Sequence, residues 1–340
     1  MDLRSIKLFG GRLRKYKSPS TAPAQPRDSR VSTADVARVV IDKILAKKQH
    51  EVTVLTRQPV LGPTVDEHGV RWLQVDYSDK PSLAKILRGI DVVLCFFLDL
   101  DYVSVVRNSK NLIDASIQAG VKRFAPSEWG SRVNRSLPHN AFKDEIREYL
   151  EDTNSGRMRL EYTIFQPGLF VNYFGYPHAS PKHFPMSQPF VDLEHRRAIM
   201  VEDGNASITL TTVQDMGAVV AEALDYEGVW PVDGGMRGTQ VTVAEMVEMS
   251  RRLRGCMKVE TVSLDDLRAG QLKTSWRPDI SHPTVPKELK DTISERMFLF
   301  FLNSVAHGCW NVSDTWNKLL PHYHFTTAEE YLSSIWAGKP

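Results

Sequence analysis

Residues 91–125 have the sequence DVVLCFFLDLDYVSVVRNSKNLIDASIQAGVKRFA, and this stretch decides the fold. Its first part, from Asp91 to Leu98, is almost continuously apolar, which is typical of a strand buried on both faces of a parallel sheet. A helix is predicted from Val103 to Ala119, because Gly120 supplies a C-terminal cap. Residues 121–125 predict a second strand. The stretch is therefore a strand–helix–strand unit.

The same alternation extends in both directions from this unit. Upstream, the periodicity predicts a helix around residues 36–45, strands at residues 51–56 and 70–75, and a helix at residues 82–88. Downstream, it predicts a helix at residues 140–151 and a strand at residues 162–166. Strands separated by helices predict an α/β fold, a Rossmann-type doubly wound parallel sheet with right-handed crossovers.

The alternation of strands and helices stops after residue 168, where several prolines interrupt the chain. Helices are predicted again from about residue 213. Two later helices are predicted to open with capping boxes, at Thr242–Glu245 and at Thr327–Glu330. We therefore predict three parts: a basic N-terminal segment without regular structure (1–30), a nucleotide-binding domain (31–168), and a smaller α+β substrate lobe with segments that return to the first domain (169–340).

The composition excludes several classes of protein. It is 42% hydrophobic and 25% charged, which are ordinary globular values, and no apolar run approaches the ~20 residues of a membrane span. Three cysteines give neither a disulfide framework nor a Cys-x-x-Cys metal site, which predicts a reducing compartment and no metal. Residues 1–30 carry a net charge of +6 and the remainder −4, which disfavours nucleic acid as a partner. We expect a cytoplasmic protein without nucleic-acid or membrane partners, although a basic, acid-poor start also fits a mitochondrial transit peptide.

Four segments stand in a recognisable order and spacing. They are VKRFAPSEWG (121–130), FKDEIR (142–147), TIFQPGLFVNY (163–173) and ITLTTVQDMG (208–217). Together they resemble the successive motifs of the NmrA-like and isoflavone-reductase-like branch of the atypical short-chain dehydrogenases, particularly its fungal members, over about residues 32–335. The resemblance implies a Rossmann domain that binds NADP(H), a small substrate lobe, and a helical lysine that assists hydride transfer.

The implied catalytic lysine is Lys143. His139 precedes it by four residues, where the more familiar short-chain dehydrogenases place a tyrosine, so Lys143 must act alone or with histidine. A lysine works as an acid or base near neutral pH only if burial or a neighbouring cation lowers its pKa. The alternative is that Lys143 lies on a solvated helix surface.

Ligands of doubly wound sheets bind beyond the carboxyl ends of the strands, so the residues that follow each strand are the site candidates. Arg57 follows the second strand and is predicted to pair the 2′-phosphate of NADPH, the alternative being an exposed loop arginine. Ser127 is predicted to bond the nicotinamide carboxamide or the substrate. The predicted substrate contacts are Trp129, Gln166, Phe170 and Asn172, and the alternative for this set is a structural turn and an aromatic core.

The chain departs from the family pattern at the phosphate-binding turn. In place of Gly-x-Gly-x-x-Gly/Ala it has the cofactor candidates Ser32, Thr33, Ala34, Asp35 and Val36, followed by Ala37. Residues 24–30 are too polar for a central strand, and residues 6–11 would need a long insertion before the helix. Either the turn has diverged, or the gene model has an incorrect first exon, which is the explanation we favour.

These features predict an NADPH-dependent oxidoreductase that reduces a small aromatic or phenolic metabolite. A rival hypothesis comes from the NmrA-like regulators, which bind the dinucleotide to sense redox state and recruit a protein partner without chemistry. The altered glycine turn favours the second hypothesis, and the implied lysine favours the first.

Overall fold

The computed structural model of the protein describes residues 4–10, 35–60, 64–97, 101–133, 140–279 and 287–339. Its largest sheet contains β1 (Arg4–Gly10), β2 (His50–Thr56), β3 (Arg71–Gln74), β4 (Val92–Phe96), β5 (Arg123–Ala125) and β6 (Glu161–Tyr162). The strands are all parallel, in the order β3-β2-β1-β4-β5-β6. The order reverses direction between β1 and β4, as in a Rossmann-type doubly wound fold, so the predicted fold class is confirmed.

Helices cover both faces of this sheet. They are α1 (Asp35–Lys47), α2 (Lys80–Ile86), α3 (Tyr102–Ala119), α4 (Ala141–Asn154) and α5 (Val213–Asp225). In β4, Leu94 and Phe96 pack with the buried side chains of α1 and α5, whereas Val93 and Cys95 pack with those of α2, α3 and α4. The apolar run that decided the fold is therefore buried on both faces, as predicted. The predicted cap of α3 is also present, because Gly120 has a φ of 78° and donates its N–H to Ser116.

The N-terminal segment differs from its prediction. We expected residues 1–30 to lack regular structure, and this is wrong for β1, which pairs in parallel with β2 on one side and β4 on the other. The physical reason is that β2 and β4 are buried strands whose backbone groups need partners, and β1 satisfies both ladders. The rest of this segment and the candidates Ser32, Thr33 and Ala34 lie outside the described residues.

The second half of the chain contains shorter elements. Its strands are β7 (Ile164–Gln166), β8 (Leu169–Phe170), β9 (Val191–Asp192), β10 (Arg197–Val201), β11 (Ser207–Thr211), β12 (Asp233–Gly235), β13 (Thr239–Thr242) and β14 (Lys258–Val262). Its later helices are α6 (Val243–Arg254), α7 (Leu264–Arg268), α8 (Lys290–Ala306), α9 (Thr315–Leu319) and α10 (Ala328–Trp336). Both predicted capping boxes are formed, at the starts of α6 and α10. Among the helices that the structure describes, none combines the length and apolarity needed to cross a bilayer.

These short strands form small sheets beside the large one. The sheet orders are β14-β10-β9, β13-β11-β8 and β12-β7. The chain also returns to the large sheet, because α5 and Trp316 of α9 belong to the same buried cluster as α1. The strands β5 and β7 thereby pack near α5 and α9, which come from distant parts of the sequence.

Gly168 fixes the turn from β7 to β8 and offers a test of this packing. It has a φ of 71°, and a Cβ there would lie 2.4 Å from the Thr209 carbonyl oxygen. We expect Gly168→Ala to lower the free energy of unfolding by at least about 2 kcal/mol, since the backbone strain of about 1–2 kcal/mol adds to this clash. Urea denaturation measures the change.

Gly89→Ala is the matched control for that substitution. Gly89 has a similar φ of 75°, but a Cβ there would meet nothing within 4 Å. The control should lose only the strain, about 1 kcal/mol. Equal losses in the two variants would contradict the close approach at Gly168.

Candidate active site

The site candidates converge at one edge of the large sheet, where its parallel strands end. Arg57 follows β2, Ser127 and Trp129 follow β5, and Gln166 is the last residue of β7. The sheet order changes direction between β1 and β4, close to the ends of β2 and β5. Because this change of direction opens a crevice, it is the place where doubly wound folds bind their ligands.

Arg57 lies at the outer part of this edge. It is half-buried and lines an open cleft of about 480 Å³ together with Gln74, Val75 and Asp76. Asp76 accepts hydrogen bonds from the backbone N–H and the hydroxyl of Ser78, which hold the pKa of its carboxyl below the usual value. The cleft thus offers a guanidinium on one side and an exposed carboxylate on the other. Asp76 was missed by the sequence reasoning, although it directly follows a predicted strand.

Lys143 lies deeper in the site, on the first turn of α4. Its side chain is half-buried, and Nζ donates a hydrogen bond of 2.7 Å to the carbonyl oxygen of Glu128. Loss of hydration lowers the pKa of Lys143 below its usual value of 10.5. The alternative of a solvated helix surface therefore does not describe its environment. His139, the other candidate proton donor, lies outside the described residues.

A small cavity of about 10 Å³ lies beside the Lys143 side chain, which is room for one water molecule. It is lined by residues of α4, of α3 and of the ends of β4 and β5, and Lys143 and Ser127 are both among them. Its lining residues are Cys95, Ser109, Phe124, Pro126, Ser127, Glu128, Phe142, Lys143 and Ile146. Burial raises the pKa of the Cys95 thiol to about 12, so this neighbour stays neutral at physiological pH.

The loop after β5 is tied to the end of β4. Ser127 Oγ donates to the carbonyl oxygen of Phe97 at 2.9 Å, and Trp129 Nε1 donates to that of Cys95 at 2.8 Å. The Trp129 ring stacks on Phe96 with 4.2 Å between the ring centroids. Trp129 has a φ of 50°, which for a residue with a Cβ costs about 1–2 kcal/mol. The stacking and the hydrogen bond hold Trp129 in that conformation.

The remaining substrate candidates are buried and have partners inside the protein. Gln166 donates to the carbonyl oxygen of Ser131 at 3.2 Å, and Phe170 packs in an aromatic cluster. Asn172 is fully buried, donates to Gln214 and Tyr331, and accepts the N–H of Val213, the first residue of α5. A substrate could reach the Asn172 amide only by displacing one of these bonds. The structure therefore brings Gln166 and Asn172 to the loops that frame the site, and their contact with substrate stays a prediction.

A buried ion pair behind the loop was also missed by the sequence reasoning. Glu128 is 3% exposed, and its two carboxylate oxygens accept from Nε and Nη2 of Arg147 at 2.8 and 2.7 Å. The only sequence signal is that Lys143 and Arg147 are four residues apart and share a face of α4. Among the residues that the structure describes, no three potential metal ligands cluster together.

The fold defines the class as a Rossmann-type α/β protein, with the candidate residues following strand ends near the switch point. The NmrA-like family profile matches residues 32–332. The chain is 32% identical to the isoflavone reductase of Cicer arietinum over 284 residues, which cover 78% of this chain and 79% of the relative. It is also 24% identical to the oxidoreductase swnN of Metarhizium robertsii over 335 residues, which cover 90% and 96% of the two chains. The chain belongs to the NmrA-like family, which confirms the resemblance predicted from the four motifs.

Solved structures agree with this assignment of the fold. AtPrR2, determined with NADP+ and (+)-pinoresinol, superposes with a TM-score of 0.65 at 20% identity, covering 98% of this chain and 99% of that one. This similarity extends over both the large sheet and the C-terminal elements. The isoflavone-reductase-like architecture thus spans the chain.

Proposed function

We propose that the protein is an NADPH-dependent reductase that transfers a hydride to a small aromatic or phenolic metabolite, with Lys143 supplying the proton. The observation that carries this proposal is that Lys143, whose ammonium is held by the Glu128 carbonyl oxygen, lines the same small cavity as Ser127, which follows β5. Relatives named as oxidoreductases and isoflavone reductases support the same class of reaction.

The cleft beside Arg57 fits the adenosine end of the dinucleotide. A guanidinium pairs a phosphate through charge-assisted and often bidentate hydrogen bonds, which suits the 2′-phosphate that distinguishes NADPH from NADH. Arg57 would hold this phosphate, and Ser127 would bond the carboxamide at the other end. When bound, the nicotinamide supplies the hydride.

Lys143 would complete the reduction by delivering a proton to the substrate oxygen that gains electron density. A lowered pKa makes the ammonium a better proton donor near neutral pH than an exposed lysine. The hydrogen bond to the Glu128 carbonyl oxygen keeps the ammonium at the strand ends. Because this acceptor is a backbone group, the bond constrains the position of the ammonium without neutralising its charge.

An aromatic substrate is proposed from the named relatives, and the segment that follows β7 contributes aromatic side chains of its own. Phe170, Tyr173 and Phe184 form a contiguous cluster after β7, with ring centroids 5.1 to 6.5 Å apart. Aromatic faces bind aromatic ligands by stacking and edge contacts. The similarity to an isoflavone reductase supports the same substrate class, and a protein of the same fold has been determined with (+)-pinoresinol.

One observation favours a second candidate, a dinucleotide sensor that recruits a protein partner. The end of β1 and the start of α1 are separated by 24 residues, Gly11 to Ala34, whereas a dinucleotide-binding turn needs only a few. A chain with such a departure could bind NADPH without turning it over.

Purified protein distinguishes the two candidates. We expect it to oxidise NADPH, monitored at 340 nm, when phenolic carbonyls or benzylic ethers are supplied. The amount of NADPH oxidised should equal the amount of reduced product formed. Binding of NADPH in a calorimetric titration without oxidation across such a substrate panel would instead support the sensor.

A further inference from the structure

We propose that Arg147 is a positioning residue for Lys143, and that it acts by clamping Glu128. This inference rests on the proposed function of Lys143. Neither the family match nor the strand-end pattern draws attention to Arg147, which lies one helical turn further along α4 and is not among the residues that line the small cavity.

The geometry of the clamp is specific. Both oxygens of the Glu128 carboxylate accept from Arg147, while the backbone carbonyl of the same residue accepts from Lys143. One face of α4 therefore grips one loop residue at two points. Nη1 of Arg147 also donates to the carbonyl oxygen of Arg132 at 2.6 Å, which extends the grip along the loop.

A buried ion pair of this kind fixes the positions of its two side chains more than it stabilises the folded protein. Removing two charges from water is unfavourable, and apolar replacements of such pairs often leave proteins equally stable. A bidentate guanidinium–carboxylate pair, by contrast, fixes both distance and orientation. Because the Glu128 carbonyl oxygen is the acceptor for Lys143, fixing the Glu128 carboxylate also fixes the place where the Lys143 ammonium rests.

The clamp also balances the charges around Lys143. Burial lowers the pKa of Lys143 and the Arg147 charge lowers it further, while the carboxylates of Glu128 and Asp144 raise it. Among the described residues that line the small cavity, the other titratable group is Cys95 of β4, which stays neutral because burial raises its pKa to about 12. Removing Arg147 therefore leaves Glu128 to stabilise the charged ammonium, and removing the Glu128 charge has the opposite effect.

Substitutions of Arg147 and of Glu128 should therefore shift the pKa of Lys143 in opposite directions. In Arg147→Gln the pKa of Lys143 should rise, and in Glu128→Gln it should fall. It is measured by NMR titration of protein with 13C-labelled lysines, with Lys143→Arg identifying the resonance. Arg147→Gln should also lower kcat about tenfold or more, because a displaced proton donor loses its alignment, while the Kd for NADPH stays within about twofold.

Arg147→Lys separates charge from geometry. It keeps a cation near Glu128 but loses the bidentate grip, so kcat should still fall while the pKa of Lys143 shifts less than in Arg147→Gln. Arg123→Gln is the matched control, since Arg123 pairs with Glu161 at 2.7 Å near the opposite ends of the strands. This control should leave both kcat and the Lys143 titration unchanged.

Several results would overturn the inference. If Arg147→Gln is folded and retains the parent kcat and Lys143 titration, the pair is only structural. If Arg147→Gln fails to fold, Glu128→Gln is the variant that tests the inference. Its side-chain amide can still accept a hydrogen bond from Arg147, which favours folding. An unchanged pKa of Lys143 in Glu128→Gln would refute the clamp. Parent-like turnover in Lys143→Ala would refute the proton-donor role of Lys143 on which this inference rests. Loss of turnover in Lys143→Ala but not in Arg147→Gln would refute only the role of Arg147.

Discussion

Lys143→Ala is expected to lower kcat by about a hundredfold or more while leaving the affinity for NADPH nearly unchanged. The reason is that the alanine removes a positioned proton donor, whereas Arg57 and the adenosine cleft are unaffected. Steady-state kinetics of NADPH oxidation give kcat, and a calorimetric titration gives the Kd.

A surface lysine provides the control for that experiment. Lys122 is 75% exposed and pairs with Asp91 before the start of β5, away from the strand ends that carry the site. Lys122→Ala should therefore retain the parent kcat, because exposed ion pairs contribute little. A kcat for Lys143→Ala within a few-fold of the parent would show that Lys143 has only a structural role.

Arg57→Ala is expected to remove most of the preference for NADPH over NADH. A charge-assisted hydrogen bond contributes about 1.5–3 kcal/mol, so the parent should bind NADPH at least about tenfold more tightly than NADH. The variant should lose affinity for NADPH and keep its affinity for NADH, since only NADPH carries the 2′-phosphate. Titrations of both cofactors measure the ratio.

Arg71→Ala is the matched control, because Arg71 is an exposed arginine at the opposite end of the neighbouring strand β3. Its cofactor ratio should equal that of the parent. Equal affinities for NADPH and NADH in the unsubstituted protein would contradict the assignment of Arg57 to the phosphate.

The elements were largely predictable because their signals are local. The apolar run of β4, the glycine that caps α3 and the two capping boxes each depend on residues close together in sequence. β1 was not assigned, for the opposite reason, although residues 6–11 were considered for the first strand. Its seven residues pair with β2 and β4, which follow more than forty residues later in the sequence. The short apolar segment is also surrounded by basic residues, so its strand signal is weak.

The site was predictable in its location and less so in its contacts. The strand-end rule predicted Arg57 and Ser127, which follow β2 and β5, and the resemblance to the family predicted Lys143. Lys143 and Ser127 line one small cavity, whereas Arg57 lines a separate cleft. The strand-end rule did not show that Asn172 uses its amide to join α5 and α10, or that Glu128 turns its carboxylate towards Arg147. Such pairings join residues on different elements, and periodicity describes only one element at a time.

The central place of β1 has a consequence for how the chain tolerates damage. Lengthening a connection from about six to 24 residues weakens loop closure by only about 1.2 kcal/mol, so a distant first strand can still be kept. Loss of that strand would be far more damaging, because β2 and β4 would each present an unpaired edge in the middle of the sheet. Exposed edges of this kind recruit strands from other molecules. In a protein clipped after Gly10 no covalent link would hold the first strand, so its pairing with β2 and β4 would have to keep it in the sheet and prevent aggregation.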